Sequence, residues 1–188
     1  MTNILTNQLK NNIMNHMMLA KDTHFHDTYQ VALKTIADCI KNGGHIYLAG
    51  NGGSFSDALH IAGELNGKIY ANRQPYPAHV LGSDGASLTA IANDYNYDQI
   101  FARELQGKMT ENDVFIGIST SGNSKNIVEA MKIAKGITIL LTGSNTTCIA
   151  GQHCDIMINT VSNLADEVQQ MHQTIYHSLI YDIEEKLK

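Results

Sequence analysis

The chain has 188 residues and a formal net charge of −5, with 43% hydrophobic and 16% charged residues. This length suits one domain with a full hydrophobic core, spanning residues 1–188, and the composition argues against disorder. Because there is no basic surplus, we expect no nucleic-acid partner. No apolar run reaches the ~18 residues that a membrane span needs, so we expect no membrane partner either.

The cysteines and the N-terminal segment bear on the compartment. Cys39, Cys148 and Cys154 are odd in number and lack metal-ligand spacing, which is typical of reduced thiols in a cytosolic protein. The first ten residues lack the basic and then apolar pattern of a signal peptide. We therefore expect a cytoplasmic protein.

Two helices are predicted at the start of the chain. Apolar residues recur at helical spacing from Ile4 to Met17 and predict a first helix that ends near Ala20. Residues 26–28 are expected to begin a second helix, which ends at the glycine signal Asn42-Gly43-Gly44. The methionine-rich face of the first helix indicates core or subunit contacts, and we expect this helical pair, residues 1–42, to contribute to an oligomer.

Strands alternate with helices over the rest of the chain. The predicted strands occupy 45–49, 79–81, 113–118, 137–141 and 155–158, and the predicted helices occupy 54–66, 85–92, 97–108, 124–135 and 164–187. This alternation predicts a parallel sheet with helices on both faces, so the expected fold class is α/β, a three-layer α/β/α sandwich preceded by two helices. Ligands of such sheets bind beyond the carboxyl ends of the strands.

Two turns rich in glycine and hydroxyl groups lie at those carboxyl ends, Gly50–Ser54 and Ser119–Ser124. The second places the hydroxyls of Ser119, Thr120, Ser121 and Ser124 at a predicted helix N-terminus. An ordinary N-cap needs only one hydroxyl, so this turn favours phosphate binding. The first turn lacks the lysine of a P-loop and the glycine spacing of dinucleotide folds, and a simple tight connection would also explain it.

Two helices carry the candidate catalytic groups. His60 and Glu64, at i and i+4, share one face of the helix after the first turn. They suit a helix-stabilising pair, a general base or a metal site. On the last helix, Gln169 and His177 are eight residues apart, about 12 Å along the axis. If both serve one small ligand, one of them comes from a neighbouring chain. Asn93-Asp94 is typical of a turn.

Together these segments resemble the sugar isomerase (SIS) domain family, and most closely its phosphoheptose isomerases, over essentially the whole chain. The segments that carry the resemblance are Ala49–Ser54, His60 with Glu64-Leu65, Asn93–Tyr95, Gly117–Ser124, Leu141–Gly143, and Gln169 with Met171-His172 and His177. The resemblance implies conversion of sedoheptulose 7-phosphate to D-glycero-D-manno-heptose 7-phosphate, toward the heptose of the lipopolysaccharide core. It also implies a homotetramer with active sites between subunits.

The resemblance further implies residue roles. Glu64 would be the base and His177 its partner acid/base. One Zn²⁺ per site would be held by His60, Glu64, Gln169 and His177. Substrate contacts would be Asn51, Gly52, Gly53, Glu64, Asn93, Asp94, Ser119, Thr120, Ser121, Ser124 and Gln169.

Some positions depart from the family pattern, and two other functions remain open. Lys68 and Glu167 stand where family members commonly have arginine. Relatives of this fold that lack the acid/base pair bind the bacterial replication initiator without catalysis. An isomerase of another sugar phosphate is the second alternative. The presence of Glu64 and His177 favours the phosphoheptose isomerase.

Overall fold

A computed structural model describes residues 3–70 and 72–188 of the chain. The strands are β1 (Ile46–Gly50), β2 (Ala78–Val80), β3 (Val114–Ser119), β4 (Ile137–Thr142) and β5 (Ile156–Asn159). The helices are α1 (Ile4–Leu19), α2 (Thr23–Lys41), α3 (Gly53–Asn66), α4 (Gly85–Asp94), α5 (Ile100–Lys108), α6 (Lys125–Ile133) and α7 (Ala165–Lys186). The strands pair in parallel, in the order β2-β1-β3-β4-β5.

Alternate strand residues pack into two cores, one on each face of the sheet. Leu48 and Ile116 face a core formed with α2, α3 and α7. Tyr47, Ala49 and Phe115 face the opposite core, formed mainly with α5 and α6. The central strands β1 and β3 are buried along their whole length, as expected when helices cover both faces. The predicted three-layer α/β/α fold with two leading helices is therefore confirmed.

Helices α3 and α7 lie side by side and run in the same direction. Gly53 at the start of α3 faces Gln169, and one nitrogen of His60 lies 3.1 Å from the hydroxyl of Tyr176. Just beyond α3, the main-chain N–H of Ile69 donates to Glu184. The sequence separation of the two hydrogen-bonded pairs is 116 and 115 residues, so the helices keep one register along the seam between them.

Helix α2 begins earlier than the sequence pattern indicates, and the predicted start at 26–28 is wrong. The Asp22 side chain accepts a hydrogen bond from the Phe25 main-chain N–H at 3.1 Å and caps the helix at Thr23. An aspartate at this position satisfies an otherwise unpaired first-turn amide, so the helix extends upstream by about one turn.

Polar bonds attach α1 to α7, and Glu167 is at their centre. Its carboxylate accepts hydrogen bonds from Asn15 at 2.9 Å, Ser162 at 2.6 Å and Asn11 at 3.4 Å. The Glu167 carboxylate thus fixes the first helix of this chain against α7. Within residues 3–70 and 72–188, no helix is both long enough and apolar enough to cross a membrane.

Helix α1 carries several large apolar side chains that are exposed to solvent. Seven large side chains on this helix are each more than half exposed: Ile4, Leu5, Leu9, Ile13, Met14, Met17 and Met18. We call this set the α1 apolar face. Large apolar side chains exposed in such number on one helix are typical of a protein contact.

Candidate active site

The first glycine turn connects β1 to α3. Gly52 has a φ of +56°, a conformation that glycine adopts without strain. Asn51 turns toward α6, where its side-chain amide exchanges two hydrogen bonds with that of Asn126 at 2.8 and 2.9 Å. The Tyr97 hydroxyl donates to Asn51 Oδ1 at 3.0 Å. The Asn51 side chain therefore holds the first turn against the start of α6.

The second turn connects β3 to α6 and presents the predicted hydroxyls. Ser119 Oγ donates to Ser124 Oγ at 3.1 Å, and Ser121 Oγ accepts from the Asn123 main-chain N–H at 3.2 Å. Ser124 precedes α6 without a cap bond from its side chain, and Thr120 is half-buried beside it. Hydroxyls next to the positive end of a helix form a site that suits an anion.

The two turns lie next to each other because their strands are neighbours in the sheet. Gly50 at the end of β1 pairs with Ile118, one residue before the end of β3. Asn93 and Asp94 are exposed at the end of α4, where the Asn93 amide donates to the Asp94 carboxylate at 2.9 Å. Tyr97, three residues further on, reaches Asn51. The short segment from Asn93 to Tyr97 therefore links the end of α4 to the first turn.

Three predicted site residues form a cluster on α3 and α7. Donor atoms of His60, Glu64 and His177 all lie within 4.8 Å of one another. His60 Nε2 is 3.4 Å from Glu64 Oε1, and the rings of His60 and His177 meet edge to face with centroids 4.9 Å apart. Two imidazoles and a carboxylate are a donor set that suits Zn²⁺ and related metals, so the residues present fit a metal site.

Gln169, the fourth predicted ligand, lies elsewhere on the seam in the same chain. It faces Gly53, which is seven residues, or about 10 Å, before His60 on α3. The seam thus carries two separate groups. We call the first the turn half-site, which comprises Asn51–Gly53, Ser119–Ser124 and Gln169. We call the second the histidine half-site, which comprises His60, Glu64 and His177.

Sequence reasoning missed two residues behind the histidine half-site. The Tyr176 hydroxyl lies 3.1 Å from His60 Nδ1, and Asp57 faces the same hydroxyl. Burial and the charge of Asp57 raise the pKa of Tyr176 to about 12, and burial also raises the pKa of Asp57. Asp57 precedes His60 by three residues on one helix face, which is a signal that the sequence does contain.

Arg73 is a further residue that the sequence pattern did not single out. Its guanidinium donates to the main-chain oxygens of Glu64 and Leu65, both at 2.9 Å. It also pairs with the fully buried carboxylate of Glu184 at 2.8 Å and lies 3.8 Å from the ring centroid of Tyr76. A cation at these carbonyls stabilises the C-terminal end of α3, next to Glu64.

Comparisons with known proteins agree with this geometry. The family model described as SIS domain matches residues 12–142. The chain is 33% identical over 188 residues to a phosphoheptose isomerase of Campylobacter concisus, covering 98% of this chain and 100% of that protein. It is 44% identical over 161 residues to a phosphoheptose isomerase of Aneurinibacillus thermoaerophilus, covering 84% and 80% of the two chains.

A solved structure shows the same fold over nearly the full length. The phosphoheptose isomerase of Neisseria gonorrhoeae superposes with a TM-score of 0.88 at 30% identity, covering 96% of this chain and 97% of the other. The family match spans well over half of this chain, and both sequence relatives exceed 30% identity over more than two thirds of their length. The chain therefore belongs to the SIS domain family, among the phosphoheptose isomerases.

Proposed function

We propose that this chain interconverts sedoheptulose 7-phosphate and D-glycero-D-manno-heptose 7-phosphate through an enediol, in the synthesis of heptose precursors. The observation that carries the proposal is the contact of Glu64 with His60 and His177 in one cluster. The hydroxyl-rich turn at the N-terminus of α6 supports a phosphorylated substrate. The names of the sequence relatives support the choice of a heptose phosphate.

The reaction needs a base at carbon and a proton carrier at oxygen. In our proposal Glu64 removes the C1 proton of the ketose, which leaves an enediol with a double bond between C1 and C2. Glu64 then returns the proton to C2. His177 moves the second proton from O1 to O2, so that O1 becomes the aldehyde oxygen. No redox partner is needed because the oxidation of C1 balances the reduction of C2.

The turn half-site would bind the 7-phosphate. Hydroxyls of Ser119, Thr120, Ser121 and Ser124 surround the first turn of α6, where unpaired amides favour a dianion. Asn51, Gly52, Gly53, Asn93 and Asp94 would border the sugar. Binding by hydroxyls and amides requires no cluster of positive charge, in keeping with the net charge of −5.

We also propose a Zn²⁺ ion at the histidine half-site, held by His60, Glu64 and His177. Their donor set and their mutual distances support this proposal. When bound, the ion supplies positive charge that polarises an adjacent substrate oxygen. Gln169 of a neighbouring subunit is our proposed fourth ligand, since in one chain Gln169 faces Gly53 instead.

The distance between the half-sites supports an active site shared by two chains. Glu64 lies eleven residues beyond Gly53, about 16 Å along α3. A fully extended sugar phosphate has eight bonds from phosphorus to C1 and spans about 10 Å at the spacing of an extended chain. Because Glu64 Oε1 lies 3.4 Å from His60 Nε2, nearer to Gly53 than the Glu64 main chain, one substrate would span both half-sites of one chain only when fully extended. A neighbouring chain that brings its histidine half-site to the turn half-site would complete the site.

We propose a homotetramer as the assembly that provides these neighbours, with residues 1–42 in its contacts. The α1 apolar face supports this proposal, since such a surface is normally covered by another chain. We further propose that the whole chain acts as one domain in the cytoplasm, with a sugar phosphate as its partner and neither nucleic acid nor membrane. The match over the full length of a relative supports the single domain.

Turnover of sedoheptulose 7-phosphate tests the proposed function. Purified protein is incubated with the ketose, and the aldose phosphate is followed by NMR. We expect turnover by the wild type and a loss of about 10²- to 10⁴-fold in Glu64→Gln, because a general base contributes that much. Glu111→Gln, an exposed loop carboxylate, is the matched control. An inactive wild type would contradict the function, and an unchanged Glu64→Gln would contradict the role of Glu64.

A further inference from the structure

The two nitrogens of the His60 ring have different surroundings. Nδ1 lies 3.1 Å from the Tyr176 hydroxyl, and the two rings meet edge to face with centroids 5.5 Å apart. Nε2 faces Glu64 Oε1 at 3.4 Å. The bond made by one imidazole nitrogen decides the role of the other, so the contact with Tyr176 determines what Nε2 offers to the cluster.

Asp57 interacts in turn with Tyr176, on which the contact with His60 depends. Its carboxylate is buried one turn before His60 on α3 and faces the Tyr176 hydroxyl. Among the described residues, its Oδ2 has no hydrogen-bond partner. A buried carboxylate oxygen needs a donor, and the Tyr176 hydroxyl is a donor that interacts with this carboxylate.

We propose that Tyr176 and Asp57 are positioning residues for the metal at the histidine half-site. The Tyr176 oxygen accepts the Nδ1–H of His60, and the Tyr176 hydroxyl proton is donated to Asp57. His60 is thereby held in one tautomer and one orientation, with a neutral Nε2 directed at the metal position. Groups that hydrogen-bond to a metal-binding histidine typically change the metal affinity by about 10- to 100-fold. The inference rests on the proposed metal site.

A second tyrosine of the chain provides a matched control. The Tyr29 hydroxyl donates to Asp182 at 2.6 Å and joins α2 to α7. Its ring is buried like that of Tyr176, but the bond does not involve the histidine half-site. Tyr29→Phe therefore removes a buried tyrosine–aspartate hydrogen bond without altering the surroundings of His60.

The test measures metal binding to metal-free protein. Co²⁺ or Zn²⁺ is titrated in competition with a coloured chelator, and thermal unfolding is recorded for each metal-free variant. We expect Tyr176→Phe to bind about 10- to 100-fold more weakly than the wild type and to change the Co²⁺ absorption spectrum. Asp57→Asn keeps an acceptor oxygen without the charge, so we expect a smaller loss. Tyr29→Phe should retain wild-type affinity even where its melting temperature falls equally.

The possible outcomes separate this inference from the proposed metal site. If neither the wild type nor any variant binds metal, the metal site itself fails and the positioning role fails with it. If His177→Ala loses binding but Tyr176→Phe binds as tightly as the wild type, the metal site stands and the positioning role is wrong. Should Tyr176→Phe not fold, wild-type affinity in Asp57→Asn would overturn the inference.

Discussion

Gly53 lies so close to Gln169 that a methyl group on its α-carbon would be 2.4 Å from Gln169 Nε2. The contact occurs at the first residue of α3, where the helix begins directly after the glycine turn. The side-chain amide of Gln169 therefore occupies the space that a side chain at position 53 would fill. This contact joins the last helix to the turn half-site.

Alanine at position 53 should displace the Gln169 amide and reduce activity. The atom in the way is the end of a flexible side chain, so we expect the melting temperature to change by only a few degrees. Misplacement by about 1 Å in an active site costs on the order of 100-fold in rate, and we expect a loss of kcat/KM of that size. Steady-state kinetics and thermal unfolding of Gly53→Ala measure the two effects.

Gly107→Ala is the control for this substitution. Gly107 is a helical glycine in α5 with no atom within 4 Å of an added Cβ. It should gain a little stability from the better helix propensity of alanine and keep full activity. Wild-type kcat/KM in Gly53→Ala would show that the position of Gln169 does not matter to catalysis.

Two inactive variants should restore activity when they are combined in one oligomer. Glu64→Gln damages the histidine half-site, and Gln169→Ala damages the turn half-site. If each active site joins half-sites of two chains, random mixing leaves about a quarter of the sites with both wild-type residues. Co-expression with two different affinity tags, followed by isolation of the mixed oligomer, measures this recovery.

The control pair for this mixing combines Glu64→Gln with His177→Ala. Both changes fall in the histidine half-site of one chain, so no mixed site has a complete set and activity should stay low. Equal recovery in both mixtures, or none in either, would contradict a site shared in the way we propose.

Local patterns in the sequence were sufficient for most of the secondary structure. Buried apolar runs followed by turns rich in glycine and hydroxyl groups placed β1, β3 and β4 within one residue of their actual ends, because strand length and turn chemistry are local properties. The start of α2 was missed because the cap at Asp22 lies upstream of the apolar periodicity. The strand and helix preferences of these short segments therefore agree largely with the elements that form in the folded chain.

The candidate site could be predicted only in part. His60 and Glu64 share a helix face by spacing alone, whereas Tyr176 reaches His60 across 116 residues. That contact depends on the register between α3 and α7, and no short-range pattern encodes it. Arg73 was missed for a similar reason, since it lies in an irregular loop and acts on main-chain oxygens of α3.

A charge on the α1 apolar face should dissociate the oligomer. Ile13 is exposed in the single chain, so Ile13→Glu should leave the fold intact while it disfavours burial against another chain. We expect smaller particles by size-exclusion chromatography with light scattering, together with loss of turnover. Gln106→Glu adds the same charge on the exposed surface of α5 and should keep the wild-type mass. An unchanged mass for Ile13→Glu would exclude this face from the assembly.

His172 should make the fold less stable as the pH falls. The side chain is fully buried on α7, with Nε2 3.3 Å from the main-chain oxygen of Thr142, and burial lowers its pKa from 6.5 to about 4. Between these values the unfolded chain binds a proton that the folded chain does not. Stability is therefore complete above about pH 7 and falls by about 3 kcal/mol as the pH drops toward 4.

Replacement of His172 by glutamine removes this titration and should flatten the dependence of stability on pH. Urea unfolding of metal-free protein between pH 7.5 and 4.5 gives the slope for each variant. His172→Gln is expected to be less stable at pH 7.5, since its amide is buried in a site shaped for an imidazole, yet to lose less stability on acidification. The exposed His153, changed to glutamine, should keep the wild-type slope. A wild-type slope in His172→Gln would mean that other groups cause the acid sensitivity.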